Sequence, residues 1–205
     1  MVKIKKIGVL GGAFNPPHRG HLILAKTALK KLRLDKIIFI PYGIPALKKF
    51  VLVPAKERLK MASLLVGKNP KFEVSDYEVK KKKISYTIDT VGYLKKKYTN
   101  SKIYWIIGED SLREIIEEKW RGGLRVLDLA KFIVFSRPNQ KFTLKKIKRK
   151  FTKNKKLALK KVIFVRKKVP ISATNIRKKL KKGQNIEKLL PKKVLEYIKV
   201  KKLYV

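Results

Sequence analysis

The sequence predicts an α/β fold, a doubly wound and mostly parallel sheet with helices on both faces, and three observations carry that expectation. Apolar runs of strand length alternate with helix-period segments about six times over 205 residues, the pattern of βαβ units. Several runs, "KIIFIPYG", "KIYWIIGED" and "AKFIVFSRP", are apolar enough to be buried strands. Turns that follow strands carry Gly11, Gly12, Gly43 and Gly108, both histidines and a pair of acids, which right-handed crossovers would gather along one edge of the sheet.

Taken in order, "IKKIGVL" reads as the first strand. "RGHLILAKTALKKLRL" places Leu22, Leu24, Ala25, Ala28, Leu29 and Leu32 at helical spacing. "KIIFIPYG" is a strand stopped by Pro41 and Gly43, and "PAKERLKMASLLVG" is a helix opened by proline and closed by glycine. "KFEVSDYEV" reads as a short strand with its extension. "SYTIDTVGYLKKKY" is a helix with Ser85 or Thr87 near its cap. The strands "KIYWIIGED", "AKFIVFSRP" and "KKVIFV" follow, and "ISATNIRKKLKKG" and "LPKKVLEYIKV" are C-terminal helices. This alternation is Rossmann-like. There is no internal repeat and no domain boundary, so residues 1–205 are expected to form a single domain, with a helical C-terminal part from about residue 171. The basic stretch 139–161 is expected to hold a helix and a loop.

Composition narrows the function. With no cysteine, disulfides, thiolate zinc sites and cysteine nucleophiles are excluded. The first apolar run is too short for a signal-peptide core, and nothing approaches the roughly 20 apolar residues of a membrane span. A soluble, cytoplasmic protein is expected. The formal net charge of +41 would attract anions, whether nucleic acid, acidic lipid or nucleotide phosphates. The cations are mostly lysines spread over helix faces ("KKLRLDK", "IRKKLKKG") and read as solvated faces rather than a nucleic-acid surface.

Three loops carry the chemistry. In "GGAFNPPHRGHL" the glycines Gly11 and Gly12 end a strand, and the protein's only two histidines, His18 and His21, stand where a helix begins. The segment is neither a Walker loop nor the dinucleotide fingerprint. Two imidazoles on one helix face, beside first-turn amides, suit phosphate oxygens. A metal pair, a structural cap and a general base with a helper are the other readings of the same spacing. In "ISATNIRKKL", Ser172 or Thr174 caps a helix, and Arg177, three residues beyond Thr174, folds back over the same terminus. In "IIGEDSL", Gly108 leaves room for a base, and Asp110 either favours the helix N-terminus or accepts from a ribose hydroxyl.

Together these loops resemble a known family. "GAFNPPHRGH" resembles the Gly-x-Phe-x-Pro-x-His-x-Gly-His signature of the nucleotidylyltransferase superfamily, and "ISATNIR" resembles its second signature. "SYTIDT", "YWIIGEDSL", Lys119–Trp120, "FIVFSRP" and "LLPKKVLEYIKVKKLY" extend the likeness to the nicotinate-nucleotide adenylyltransferases over nearly the whole chain. The resemblance implies adenylyl transfer from ATP to nicotinate mononucleotide, with magnesium bridging ATP oxygens and retaining waters. Catalytic roles would fall to His18, His21 and Arg177. ATP would bind Gly11, Ala13, Phe14, Gly108, Asp110, Ser172, Thr174 and Arg177. The mononucleotide would meet Lys48, Thr87, Trp120 and Arg137. No metal ligand is expected from the protein. The chain departs from the family at Asn15, where Asp is usual, and at Pro45-Ala46-Leu47-Lys48, where Pro-Pro-His-Lys is usual. Transfer to nicotinamide mononucleotide or phosphopantetheine is the alternative within enzymes, and a basic nucleic-acid-binding protein on the same fold the alternative outside them.

Overall fold

The computed structural model describes residues 5–47, 53–136, 152–167 and 169–204. Its elements are β1 (Lys5–Gly12), α1 (Arg19–Lys31), β2 (Lys36–Pro41), β3 (Ile44–Pro45), α2 (Ala55–Val66), β4 (Phe72–Val74), α3 (Tyr77–Lys80), β5 (Ile84–Ser85), α4 (Thr87–Lys97), β6 (Ser101–Gly108), α5 (Glu109–Ile116), α6 (Val126–Leu129), β7 (Lys131–Ser136), α7 (Lys153–Leu159), β8 (Val162–Arg166), α8 (Ala173–Lys181) and α9 (Lys192–Val200). A single 3-10 turn, Gly123–Arg125, precedes α6.

The main sheet has six strands in the order β4-β2-β1-β6-β7-β8. Every pairing in it is parallel. The chain builds outward from β1 through β2 to β4, returns to place β6 beside β1, and builds outward again. That order reverses between β1 and β6, so the loops leaving those two strands diverge and open a crevice at their carboxyl ends.

Strand side chains alternate between two cores, as a period of two requires. Ile37 and Phe39 of β2 pack on one face with Ala25 and Ala28 of α1, Met61 of α2, Ile176 of α8 and Val194 of α9. Ile38 and Ile40 of the same strand pack on the other with Val91 and Leu94 of α4, Leu112 and Ile115 of α5, and Leu159 of α7. All four β2 side chains are completely buried. Each contributes about 1.5–3 kcal/mol by leaving water. The expected doubly wound arrangement is therefore present.

Helix ends follow local chemistry. α2 starts after Pro54 and stops at Gly67, whose φ of +61° only glycine adopts without strain. One expectation changes. Residues after Val74 do not extend the strand, because Tyr77–Lys80 turn into α3. Ser85 and Thr87 flank the cap of α4, as expected. Tyr86 holds the cap position, and the Ser85 hydroxyl accepts from the Gly43 amide at 3.2 Å. Of the basic stretch 139–161, residues 139–151 lie outside the described residues, and Lys153–Leu159 is helical. The short parallel pair β3–β5, with Ile44 opposite Ile84, is an element the sequence does not announce.

Candidate active site

The crevice between β1 and β6 opens into a cavity of about 990 Å3. Gly11, Ala13, Phe14, His18 and His21 line it from the first loop, Gly108 and Asp110 from the β6–α5 turn, and Ser172, Thr174 and Arg177 from the start of α8. Thr87 and Trp120 line its far side. All the described residues singled out in the sequence thus face one space. Lys48 and Arg137 lie outside the described residues.

The first loop is a tightly packed turn. His18 is the N-cap of α1, and its amide donates to His21 Nδ1 at 3.1 Å. An accepting Nδ1 leaves the proton of the neutral His21 ring on Nε2, which is then a donor. The two rings stack at 3.8 Å with 29° between planes, and Phe14 supports His21 at 4.7 Å. His18 is only 6% exposed. Gly20 is what allows that placement: a Cβ there would lie 2.8 Å from His18 Nδ1. Phe14 itself is buried, so it reaches the cavity as floor rather than as a presented ring.

The second loop meets the first through its arginine. Ser172 caps α8, accepting from the Asn175 amide at 3.2 Å, which decides between the two candidate caps. Arg177 donates to Thr174 Oγ1 at 3.3 Å, as its spacing requires, and also to the main-chain oxygen of Asn15 at 2.7 Å. The guanidinium therefore bridges the two signatures across 162 positions of sequence. Behind them lies Arg58 of α2, 1% exposed. It donates to the carbonyls of Val53 (2.8 Å), Ala13 (2.8 Å) and Gly43 (2.9 Å). Burial lowers its pKa, yet three charge-assisted bonds hold three segments around one planar fork. Nothing in the amphipathic pattern of α2 distinguishes Arg58 from its exposed lysines, and sequence reasoning misses it.

The far side is built from shorter pieces. Trp120 donates from Nε1 to Glu114 at 3.0 Å. Arg121 stands over the Tyr86 ring at 4.9 Å. Glu78, 5% exposed, accepts from the Thr90 hydroxyl at 2.6 Å and ties α3 to α4. Burial pushes the Glu78 carboxyl above the ordinary carboxylate range. Among the described residues no group of three His, Asp or Glu could hold a metal. A magnesium ion carried by a triphosphate takes its oxygens from phosphate and water and needs no such cage.

The sheet order thus sets two helix starts at one crevice, bridged by one arginine. The sequence model of the cytidylyltransferase-like family matches residues 9–179. A Clostridium tetani protein named probable nicotinate-nucleotide adenylyltransferase is 40% identical over 98% of this chain and 100% of its own length. One of the same name from Dictyoglomus turgidum is 36% identical over 94% of this chain and 92% of its own. The solved Plasmodium falciparum nicotinic acid mononucleotide adenylyltransferase, complexed with NaAD, superposes with a TM-score of 0.76 at 20% identity, covering 98% of this chain and 97% of that one, a likeness of fold. The chain belongs to the nicotinate-nucleotide adenylyltransferases of the cytidylyltransferase-like family.

Proposed function

We propose that this protein transfers the adenylyl group of ATP to nicotinate mononucleotide, giving nicotinate adenine dinucleotide and pyrophosphate in the biosynthesis of NAD. The observation that carries the reading is the Arg177 bridge, which brings both phosphate signatures to one wall of a cavity whose other wall holds Trp120 and Thr87.

The chemistry follows from the groups present. The nucleophile is a phosphate oxygen of the mononucleotide, already anionic, so no general base is needed. It attacks the α-phosphorus in line as the bond to the bridging oxygen breaks. Pyrophosphate leaves with the electron pair, and no covalent enzyme intermediate forms. The obstacle is repulsion between two anions, and the remedy is positioning with positive or donating groups. In this proposal His18 and His21 hold the reacting phosphates. Ser172, Thr174 and Arg177 grip the β and γ phosphates. Gly108 and Asp110 seat the adenosine, with Gly11, Ala13 and Phe14 as floor. Thr87 and Trp120 frame the nicotinate ring, and Lys48 and Arg137 meet the mononucleotide phosphate. Magnesium enters on ATP. The setting we propose is the cytoplasm; no described helix is long and apolar enough to cross a membrane.

The test is purified protein with ATP, magnesium and, separately, nicotinate mononucleotide, nicotinamide mononucleotide and phosphopantetheine, following pyrophosphate and the adenylylated product. Dinucleotide formed fastest from nicotinate mononucleotide is the expected result. Product from phosphopantetheine alone, or from none of the three, would overturn it.

A further inference from the structure

Behind the two signatures, the segment that follows α9 reaches back to the first loop. α9 ends in a left-handed turn: Lys202 has φ +47°, its amide donates to Lys199 O at 3.1 Å, and the Leu203 amide donates to Ile198 O at 3.0 Å. These are the paired bonds of a Schellman motif, here with lysine where glycine is usual. Leu203 packs on the core, and Tyr204, itself at φ +69°, directs its ring inward. Its hydroxyl donates to Asn15 Oδ1 at 2.8 Å, across 189 positions.

Asn15 is a junction. It is 1% exposed. Its side-chain oxygen takes the Tyr204 hydroxyl and, at 3.3 Å, the Val53 amide. Its main-chain oxygen takes Arg177. His18 follows three residues later. Asn15 Nδ2 is buried and has no hydrogen-bond partner among the described residues. The orientation of this amide therefore rests on its oxygen alone, and the shorter of the two bonds there comes from Tyr204. Two residues in the left-handed region, Lys202 and Tyr204, are conformations that side chains other than glycine adopt only when the surroundings hold them. Burial raises the Tyr204 pKa well beyond the usual phenol range, so its proton stays available for this bond at any ordinary pH.

We propose that Tyr204 is a positioning residue for the transferase reaction: its hydroxyl fixes the Asn15 amide, and through Asn15 it holds Arg177 and the His18 turn in one arrangement. The inference rests on the adenylyl-transfer reading above. It assigns a catalytic consequence to Tyr204, which is not among the residues that line the cavity.

The experiment compares wild type, Y204F, N15A, the double variant Y204F/N15A, and Y197F. Tyr197, on α9, donates to Glu57 at 2.7 Å and so anchors the same helix without touching Asn15. Steady-state kinetics with ATP and nicotinate mononucleotide are read beside thermal unfolding. Y204F is expected to stay folded and to lower kcat about tenfold, the scale of a small misplacement of reacting groups. Y204F/N15A should lie within about twofold of N15A, because a pathway already broken at Asn15 cannot be broken again. Y197F should keep kcat within about twofold of wild type. Three results would overturn the proposal: an unchanged kcat in Y204F, losses that multiply in full in the double variant, or an equal loss in Y197F. A Y204F protein that fails to fold also overturns it, by making the tyrosine structural. A wild-type protein inactive toward every mononucleotide is a different failure: it removes the functional reading and takes this proposal with it.

Discussion

The phosphate half of the cavity and its ring half share one sheet but are fastened differently. Around the phosphates, the ends of β1, α2 and α8 converge on two buried junctions, Asn15 and Arg58, where five of the six bonds involve a main-chain carbonyl or amide and the sixth is the Tyr204 hydroxyl on Asn15 Oδ1. Around the ring, Thr87 opens α4 beside the two-residue β3–β5 ladder, and Trp120 sits in the turn after α5. Bonds between side chains, Trp120 to Glu114 and Thr90 to Glu78, join those from Ser85 and Thr90 to single main-chain groups. The rim of that half is apolar and open, with Ile44 and Ile84 about half exposed. A charged, symmetric group such as phosphate is recognised by donors that any backbone supplies, provided the backbone is held rigidly. A planar ring is recognised by shape, which short elements reshape at small cost to the fold.

That contrast is open to tests, beginning with the largest effect. His18→Ala should lower kcat about a hundredfold to a thousandfold with the fold intact, as loss of a donor to a transition-state phosphate does. A kcat within tenfold of wild type would remove His18 from the reaction. Arg58→Met tests the junction itself. It leaves three buried carbonyls without their donor, and we expect a loss of about 3 kcal/mol or more in urea unfolding. A variant as stable as wild type would mean that water replaces the guanidinium. In the ring half, Trp120→Ala should act on binding rather than turnover, raising KM for the mononucleotide about tenfold while KM for ATP stays put. Equal changes in both constants would erase the proposed division of the cavity.

The smallest effect concerns pH. Burial raises the Glu78 pKa above its ordinary value. The folded protein therefore binds this proton more tightly than the unfolded chain does. Stability from this group is full below the ordinary carboxylate pKa and falls as pH rises through the raised one. Glu78→Gln, which cannot ionise, should lose that part of the pH dependence. Its stability should gain on wild type as pH climbs from 4 toward 7, measured by urea unfolding at each pH. Parallel curves for the two proteins would place the carboxyl in water-like surroundings.

The phosphate half was the more legible from sequence because its requirements are local. A cap at Ser172 or Thr174 and an arginine three residues beyond Thr174 are both settled within one turn of chain, and the structure has the cap at Ser172 and the arginine on Thr174. The partner of the Ser85 hydroxyl is not legible in that way. Ser85 is taken by the Gly43 amide, a partner 42 positions away that no local rule supplies. Asn15 was visible as a departure from the family's aspartate, but its three donors come from residues 53, 177 and 204.

The sequence by itself determined the alternation of strand and helix, the two-faced burial of β2 and β6, and the residue types that meet phosphate, because periodicity and helix-end chemistry act over a few residues. Only the tertiary structure decided that β1 and β6 would be neighbours, that Arg177 would reach Asn15, and that Arg58 would be buried among three carbonyls rather than left in water with the lysines around it. A buried polar group is defined by what surrounds it. Those surroundings come from segments that approach one another only when the sheet has formed.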